Sequence, residues 1–474
     1  MRTILWIIIV TCFAGIVTAG NHRSLVLIPV SSDTSKSVIL PHPDTTVVSP
    51  QRITEAQISA DNFLHKEYNA FMEKFDATMK SALPLDKLKE ARESLDTRLG
   101  AFKKQVGSRA EKYQQYDIVY VTWEFEKMTI DFKLVFNQSG QVAGMFFQPA
   151  PSNPSQPYIP PEYVSTGKFH EQDVMIGTGE WALSGTLTLP AGEGLFPVVV
   201  LVHGSGPNDR DETIGPNKPF RDLAWGLASK GIAVVRYEKR TKEHAVKFTK
   251  ELVTALTVKE ETIDDALSAV TLLRQTKSID PARIYVLGHS LGGMLLPRIG
   301  LADPQITGLI IMAGPTRTLE DITLDQITYI SGLDGAISAE EKTYLDSMKL
   351  QVKRVKDPTL SPLTPAASLP LGLPANYWLD LRNYSPAETA KKLKQRMLIL
   401  QGARDYQVTL ADFDGWKSIL TSRPGVQFKL YPDLNHLFIS GEGRSTPTEH
   451  GNTGHVAEQV IMDITGWILN YGKN

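Results

Sequence analysis

Two hydrophobic periods alternate along this chain. From Ile53 apolar residues recur at intervals of three and four (Ala60, Phe63, Leu64, Tyr68, Phe71, Phe75), the spacing of one buried helical face, and a second helix is predicted from Leu85 to Leu95. The period then changes to two, with Val119, Val121, Trp123 and Phe125 alternating against Ile118, Tyr120, Thr122 and Glu124. A further strand is predicted from Thr129 to Phe136, and Asn137-Gln138-Ser139-Gly140 turns the chain into another at Val142 to Phe147. Helices followed by an antiparallel meander make a small α+β unit. Beyond Pro161 short β-branched runs alternate with amphipathic helices. Strands are predicted at Ala182 to Leu189, Phe196 to Val202, Ile232 to Tyr237, Arg283 to Leu287, Leu309 to Met312, Arg396 to Gln401 and Gln427 to Tyr431. The intervening helices include Phe220 to Lys230 and one long helix from Val253 to Thr276. Such alternation predicts an α/β fold, doubly wound around a mostly parallel sheet.

The boundaries follow from composition. Arg2 precedes an apolar run from Ile4 to Val17, and Val17-Thr18-Ala19 offers the small residues at which signal peptides are cut, so residues 1–19 read as a signal peptide. The alternative is a retained membrane anchor, since the run is close to the shortest that spans a bilayer. Residues 20–50 read as a linker or extension, 51–148 as the small α+β domain, 149–163 as a Pro-rich linker and 164–474 as the α/β domain. About eighty residues between Met312 and Arg396 show helical but no sheet pattern, and read as a cap inserted at about 315–395. Tyr377 and Trp378 are candidate walls of a pocket beneath it, although aromatic residues in such a segment more often belong to the core.

Composition narrows the function classes. Lys+Arg 50 against Asp+Glu 52 leaves no electrostatic bias for nucleic acid. Cys12 is the only cysteine and lies in the signal segment, so the mature chain is expected to have no disulfide, thiolate metal site or cysteine nucleophile. The expected setting is secreted or periplasmic, with no stable membrane insertion after cleavage.

The most informative segment is Arg283-Ile284-Tyr285-Val286-Leu287-Gly288-His289-Ser290-Leu291-Gly292-Gly293-Met294, a strand running through Gly-x-Ser-x-Gly into an apolar helix. In that setting the serine sits on a strained turn that lifts its hydroxyl off the sheet, and the glycines make room for the turn. A serine hydroxyl needs a base, and the base an orienting acid. Chain order Ser, Asp, His leads to Asp405, in the loop after the strand ending at Gln401, and to His436, in the loop after the strand ending at Tyr431. Asp412 and Asp414 compete with Asp405 but fall in the next helix. Among other histidines, His203 reads as bracing its loop, His289 as pointing wrongly for a base, and His450 and His455 as surface or helix-entry residues. The oxyanion donors are expected to be the backbone N–H groups of Leu291 and Ser205. Asp209, Arg210, Asp211 and Lys218 read as organisers of their own loop.

Together, His203-Gly204-Ser205-Gly206-Pro207-Asn208-Asp209-Arg210-Asp211, Gly215-Pro216-Asn217-Lys218-Pro219-Phe220, the elbow at Gly288 to Gly293, Gly402-Ala403-Arg404-Asp405 and Asn435-His436 resemble the bacterial esterase and serine-aminopeptidase-like branch of the α/β hydrolases, over about residues 165–472. The resemblance implies hydrolysis of small-molecule carboxylic esters through an acyl-enzyme, with no metal or organic cofactor. Some relatives in that branch are peptidases, which keeps an aminopeptidase or amidase using the same three residues as an alternative. A non-catalytic binding protein on the same fold is a third reading, although such proteins typically lose a triad member. The N-terminal unit resembles a domain of unknown function often fused upstream of secreted hydrolases, and reads as an accessory module. With a complete triad and no large recognition domain, the expected substrates are esters of short to medium acyl chain.

Overall fold

The computed structural model describes residues 48–470 apart from 114–115, 127–128, 151–157 and 249. The expected signal peptide, nearly all of the extension behind it and much of the Pro-rich linker lie outside the described residues. The chain divides into two compact units, with the division between residues 156 and 157.

The first unit begins with helices Pro50–Leu64, Tyr68–Glu73, Ala77–Ala82 and Leu85–Leu99. The helical pattern that starts at Ile53 is interrupted after Leu64, where Lys66 turns left-handed (φ 67°). Strands β1 (Phe102–Tyr113), β2 (Tyr116–Phe125), β3 (Thr129–Phe136) and β4 (Val142–Pro149) follow as an antiparallel sheet in sequence order. One face of this sheet meets the helices through an aromatic core, with Trp123 stacked 4.9 Å from Phe132 and Phe71 4.9 Å from Phe75. Strand β1 was not expected from the pattern. Its sequence, FKKQVGSRAEKY, is mostly polar because it forms an edge of the sheet, where charge discourages further pairing.

The second unit is built on eight strands: β5 (Phe169–Ile176), β6 (Leu183–Pro190), β7 (Phe196–Val202), β8 (Ala233–Tyr237), β9 (Ile279–His289), β10 (Gly308–Met312), β11 (Arg396–Gly402) and β12 (Val426–Tyr431). Their spatial order is β12-β11-β10-β9-β7-β8-β6-β5. The six from β12 to β8 run parallel, and β6 and β5 close one end antiparallel. Strand β5, the exposed antiparallel edge, is again one that alternation did not reveal. Along β7, Val198, Val200 and Val202 enter the core on one face, while Val199 and Leu201 enter the core on the other, against helices Pro219–Ala228 and Glu458–Leu469. A strand buried on both faces must be apolar at every position, which is why these runs do not alternate.

The long helix expected from Val253 to Thr276 is two pieces. Helix Lys250–Ala255 ends, and a π-helical turn, Lys259–Ile263, leads into helix Asp264–Arg274. Thr257 makes the break: its hydroxyl accepts from Lys259 N (3.2 Å), while Glu260 accepts from Thr257 N (3.2 Å), so side chains replace the helical ladder there.

Between β10 and β11 lie helices Leu319–Ser331, Ala339–Lys356, Ala375–Leu381 and Pro386–Lys391. The first two form a hairpin with its own small cluster of Ile327, Leu345, Met348 and Val352. The last two join the main core through Tyr377, Trp378, Leu381, Ala387 and Ala390. Tyr377 and Trp378 are therefore core residues, each only 1% exposed, the commoner of the two roles expected for aromatic residues there, and not pocket walls.

Candidate active site

Strand β7 neighbours both β8 and β9, so the chain leaves β7 on one side and returns to its other side after β8. At such a switch point the loops beyond the carboxyl ends diverge and leave a crevice. Residues 203–206 follow β7 there, and Ser290 follows β9.

Ser290 adopts φ 53° and ψ −119°, a conformation that side chains rarely take, and its N–H donates to Met312 O on β10 (3.0 Å). The neighbouring glycines are forced by close approach: a Cβ on Gly292 would stand 2.3 Å from Val202 O, and one on Gly288 2.4 Å from Gly292 C. Gly292 thus presses helix Leu291–Ala302 onto the end of β7, which brings the 203–206 loop beside the serine. A Cβ on Gly204 would lie 3.2 Å from that of Ser290. The Leu291 N–H, at the start of that helix, and the Ser205 N–H, in the loop after β7, both lack an acceptor among the described residues.

Asp405 and His436 come together. His436 Nδ1 lies 2.7 Å from Asp405 Oδ2, with both side chains buried. The carboxylate is fully engaged: Oδ1 accepts from Gln407 N (2.8 Å) and Val408 N (2.9 Å), and Oδ2 also accepts from Gln401 Nε2 (3.2 Å). These bonds fix the carboxylate, and through it the imidazole. The loops carrying the pair touch at Gly402, where a Cβ would stand 2.4 Å from Leu434 O. Asn435 Oδ1 accepts from Leu437 N (3.0 Å) and Ile439 N (3.2 Å), which winds the backbone around His436. The two competing aspartates lie in helix Leu410–Leu420, and Asp412 is committed to the β10 loop through Thr316 N (3.0 Å) and Arg317 (2.9 Å).

The serine and the pair are joined by residues not singled out by sequence for this part. His289 Nδ1 lies 2.9 Å from Glu212 Oε2 and its Nε2 lies 3.0 Å from His436 O, with the two imidazole rings 4.6 Å apart. Glu212 Oε1 in turn accepts from Gly204 N (2.6 Å). One chain of bonds therefore ties the 203–206 loop, the elbow and the His436 loop. Both ring nitrogens of His289 face acceptors, so both carry protons and the ring is an imidazolium. Burial pushes its pKa down, but the charge and hydrogen bond of Glu212 outweigh burial and raise it above 6.5. Burial likewise pushes Glu212 up, and His289 outweighs it and holds the carboxyl below 4.5. Glu212 lies one residue beyond the Asp209-Arg210-Asp211 run, and its left-handed backbone (φ 50°) is invisible in the sequence.

Three further candidate histidines have other settings. His203 braces its loop by Nε2 to Asp209 O (3.0 Å), and burial pushes its pKa down to about 4. His450, expected as a surface or helix-entry residue, lies buried in the short 3-10 turn Pro447–Gly451, and burial pushes it down to about 4 as well. His455 Nδ1 contacts Asp222 Oδ1 at 3.0 Å. Asp211 holds Arg236 (2.9 Å), Arg221 (2.7 Å) and Lys218 (3.4 Å), while Arg210 holds Glu238 (2.8 Å), so these charges do organise the loop after β7.

Glu212→Gln tests this connecting chain. The His289 contribution to stability is complete below pH 6.5 and is lost as pH rises through the raised folded-state pKa. The Glu212 contribution is complete above pH 4.5 and is lost as pH falls through the lowered one. Breaking a buried pair costs on the order of 3 kcal/mol. The Tm deficit of the variant should accordingly peak between those two pH values and shrink on either side; a deficit constant with pH would contradict the pair's role.

The chain is 40% identical over 415 residues to Esterase EstD of Thermotoga maritima, an alignment spanning 88% of this chain and 95% of that protein. The Prolyl oligopeptidase family profile matches residues 222–360, and the family described as Protein of unknown function (DUF3887) matches residues 56–145. Among solved structures, an esterase of Pyrococcus furiosus aligns at 16% identity and TM-score 0.41, covering 68% of this chain and 97% of that one. An acylaminoacyl peptidase of Pyrococcus horikoshii aligns at 15% and 0.42, covering 79% and 56%.

Proposed function

The chain belongs to the same family as Esterase EstD, and on that premise we propose that it is a serine esterase whose nucleophile is Ser290, general base His436 and orienting acid Asp405. The observation that carries the assignment of residues is the 2.7 Å bond between His436 and a carboxylate held by three further donors, together with a serine on a strained strand-to-helix turn whose neighbour His289 has its ring 4.6 Å from that of His436. Asp405 accepts the Nδ1 proton and leaves Nε2 of His436 as the basic nitrogen. That nitrogen takes the Ser290 proton as Oγ attacks the ester carbonyl. The oxygen of the tetrahedral intermediate receives hydrogen bonds from the N–H groups of Leu291 and Ser205, for which no acceptor among the described residues competes. Collapse expels the alcohol, protonated by His436, and leaves an acyl-serine. Water, deprotonated by the same histidine, then releases the acid.

The substrates are small esters of short to medium acyl chains, and the helical segment between β10 and β11 acts as the cap over them. The N-terminal unit is an accessory module. Residues 1–19 act as a signal peptide cleaved after Ala19, and the mature chain is exported. Among the described residues no helix is long and apolar enough to cross a membrane.

An amide demands protonation of a poorer leaving group, and an aminopeptidase also needs carboxylates to hold a free amino group. The expected result is that kcat/KM on short-chain nitrophenyl esters exceeds that on aminoacyl anilides. The reverse order would replace the esterase by a peptidase using the same three residues.

A further inference from the structure

We propose that Lys239 is a positioning residue of the oxyanion hole, and that helix Ala375–Leu381 controls it through Glu261. The inference rests on the esterase reading above and assigns that site a further component.

The peptide unit that matters joins Gly204 to Ser205. Its N–H is the oxyanion donor assigned to Ser205, and its carbonyl belongs to Gly204. In a planar trans peptide the C=O and N–H point in opposite directions, so whatever holds the carbonyl also aims the N–H. Lys239, just beyond the end of β8, places Nζ 2.8 Å from Gly204 O. Asn208 Nδ2 supports the same carbonyl at 3.3 Å, and Lys239 N donates to Asn208 O at 3.0 Å, so Lys239 grips the loop with both side chain and backbone. On the other side of the same residue, Gly204 N is held by Glu212. An ammonium on a carbonyl does more than fix its direction. It draws electron density toward the oxygen and makes the N–H of that amide a stronger donor. It also adds positive charge on the side of the loop facing away from the developing oxyanion.

The ammonium is buried, and its charge is balanced by Glu261 Oε1 at 2.9 Å, itself fully buried. Glu261 sits in the π-helical turn Lys259–Ile263, an irregularity that often marks a functional position. The other carboxylate oxygen, Oε2, accepts from the hydroxyl of Tyr377 at 2.6 Å. Tyr377 lies in helix Ala375–Leu381, within the segment that separates β10 from β11. The line Tyr377, Glu261, Lys239, Gly204 thus runs from that segment to the oxyanion donor entirely through buried polar contacts. If the helix shifts, Glu261 loses a donor and is free to follow Lys239 in another position, and the Ser205 N–H loses its aim. A well-seated helix is in this way a condition for full transition-state stabilisation.

Lys239→Met alone leaves Glu261 as an uncompensated buried charge, so the informative variant is Lys239→Met with Glu261→Gln, read beside Tyr377→Phe, which keeps the packing of the ring. Three quantities are measured for each: kcat and KM on a short-chain nitrophenyl ester, affinity for a trifluoromethyl ketone, which forms an oxyanion on the serine, and affinity for the matching alcohol, which cannot. Loss of an oxyanion donor lowers kcat by roughly 10²- to 10³-fold, so misaiming one is expected to lower it about 10- to 100-fold in the double variant and less in Tyr377→Phe. KM and alcohol binding should stay close to wild type, while ketone affinity falls by the same factor as kcat. Equal losses for ketone and alcohol, or a folded double variant with unchanged kcat, would overturn the proposal. Should the double variant not fold, Tyr377→Phe decides: a fall in kcat at constant KM supports it, and no change refutes it. Ser290→Ala in the same series separates the two claims, because retained activity there defeats the esterase reading, whereas a dead Ser290→Ala beside a fully active Lys239 variant defeats only this one.

Discussion

Ser290→Ala is expected to lower kcat for short-chain ester hydrolysis by roughly 10⁴- to 10⁶-fold. In the proposed mechanism the hydroxyl is the atom that forms the acyl bond, and neither His436 nor the oxyanion donors can substitute for it. What activity remains comes from binding and from polarisation of the carbonyl toward water. The substitution leaves the fold alone. Alanine meets the same backbone demand at φ 53°, and Ser290 Oγ makes no hydrogen bond with any described residue. Stability should therefore shift by less than about 0.5 kcal/mol. A loss of activity with an unchanged Tm locates the effect in chemistry. Activity within tenfold of wild type would remove Ser290 from the mechanism.

Asp405→Asn should cost roughly 10⁴-fold in kcat, with KM little altered. Asparagine keeps one acceptor oxygen, and the two backbone donors of Gln407 and Val408 compete for it on the Oδ1 side. The amide nitrogen is then turned toward His436 Nδ1 and Gln401 Nε2, both of which donate to Oδ2 in the native protein. Two donors cannot face a donor. His436 must move its proton to Nε2, where it blocks acceptance of the serine proton, or rotate out of line. Serine, histidine and the oxyanion donors all remain present, so a near-normal rate in this variant would show that Asp405 does not orient the base.

The sequence carried the skeleton of this site because each part is a local event. Gly288, Ser290 and Gly292 sit within five residues of one another, and the contacts that force the glycines are made by the turn itself and by the strand beside it. Asp405 was reachable because it follows the apolar run of β11, and His436 because it follows β12, an edge strand still marked by Phe428, Leu430 and Tyr431. What connects these parts was not legible. Glu212 and His289 are 77 residues apart, Lys239 and Gly204 are 35 apart, and Tyr377 and Glu261 are 116 apart. No periodicity links such pairs, and a buried glutamate or lysine looks in sequence like any solvated charge. The same physics explains the missed strands: β1 and β5 lie at sheet edges and carry polar residues on an exposed side, so they lack the apolar runs that marked β7 and β9. Tyr377 is a core residue of the segment between β10 and β11, the reading its aromatic character favours over a pocket wall, but no sequence pattern shows that its hydroxyl donates to Glu261.

The central claim is that Ser290 is the activated nucleophile of a serine hydrolase, and covalent labelling tests it most directly. Folded protein is treated with a fluorophosphonate and the modified residue is located by peptide mass spectrometry, alongside Asp405→Asn. A single adduct on Ser290, formed rapidly in the wild type and far more slowly in Asp405→Asn, is the result expected. No adduct on folded protein, or an adduct on a serine other than Ser290, would contradict the account.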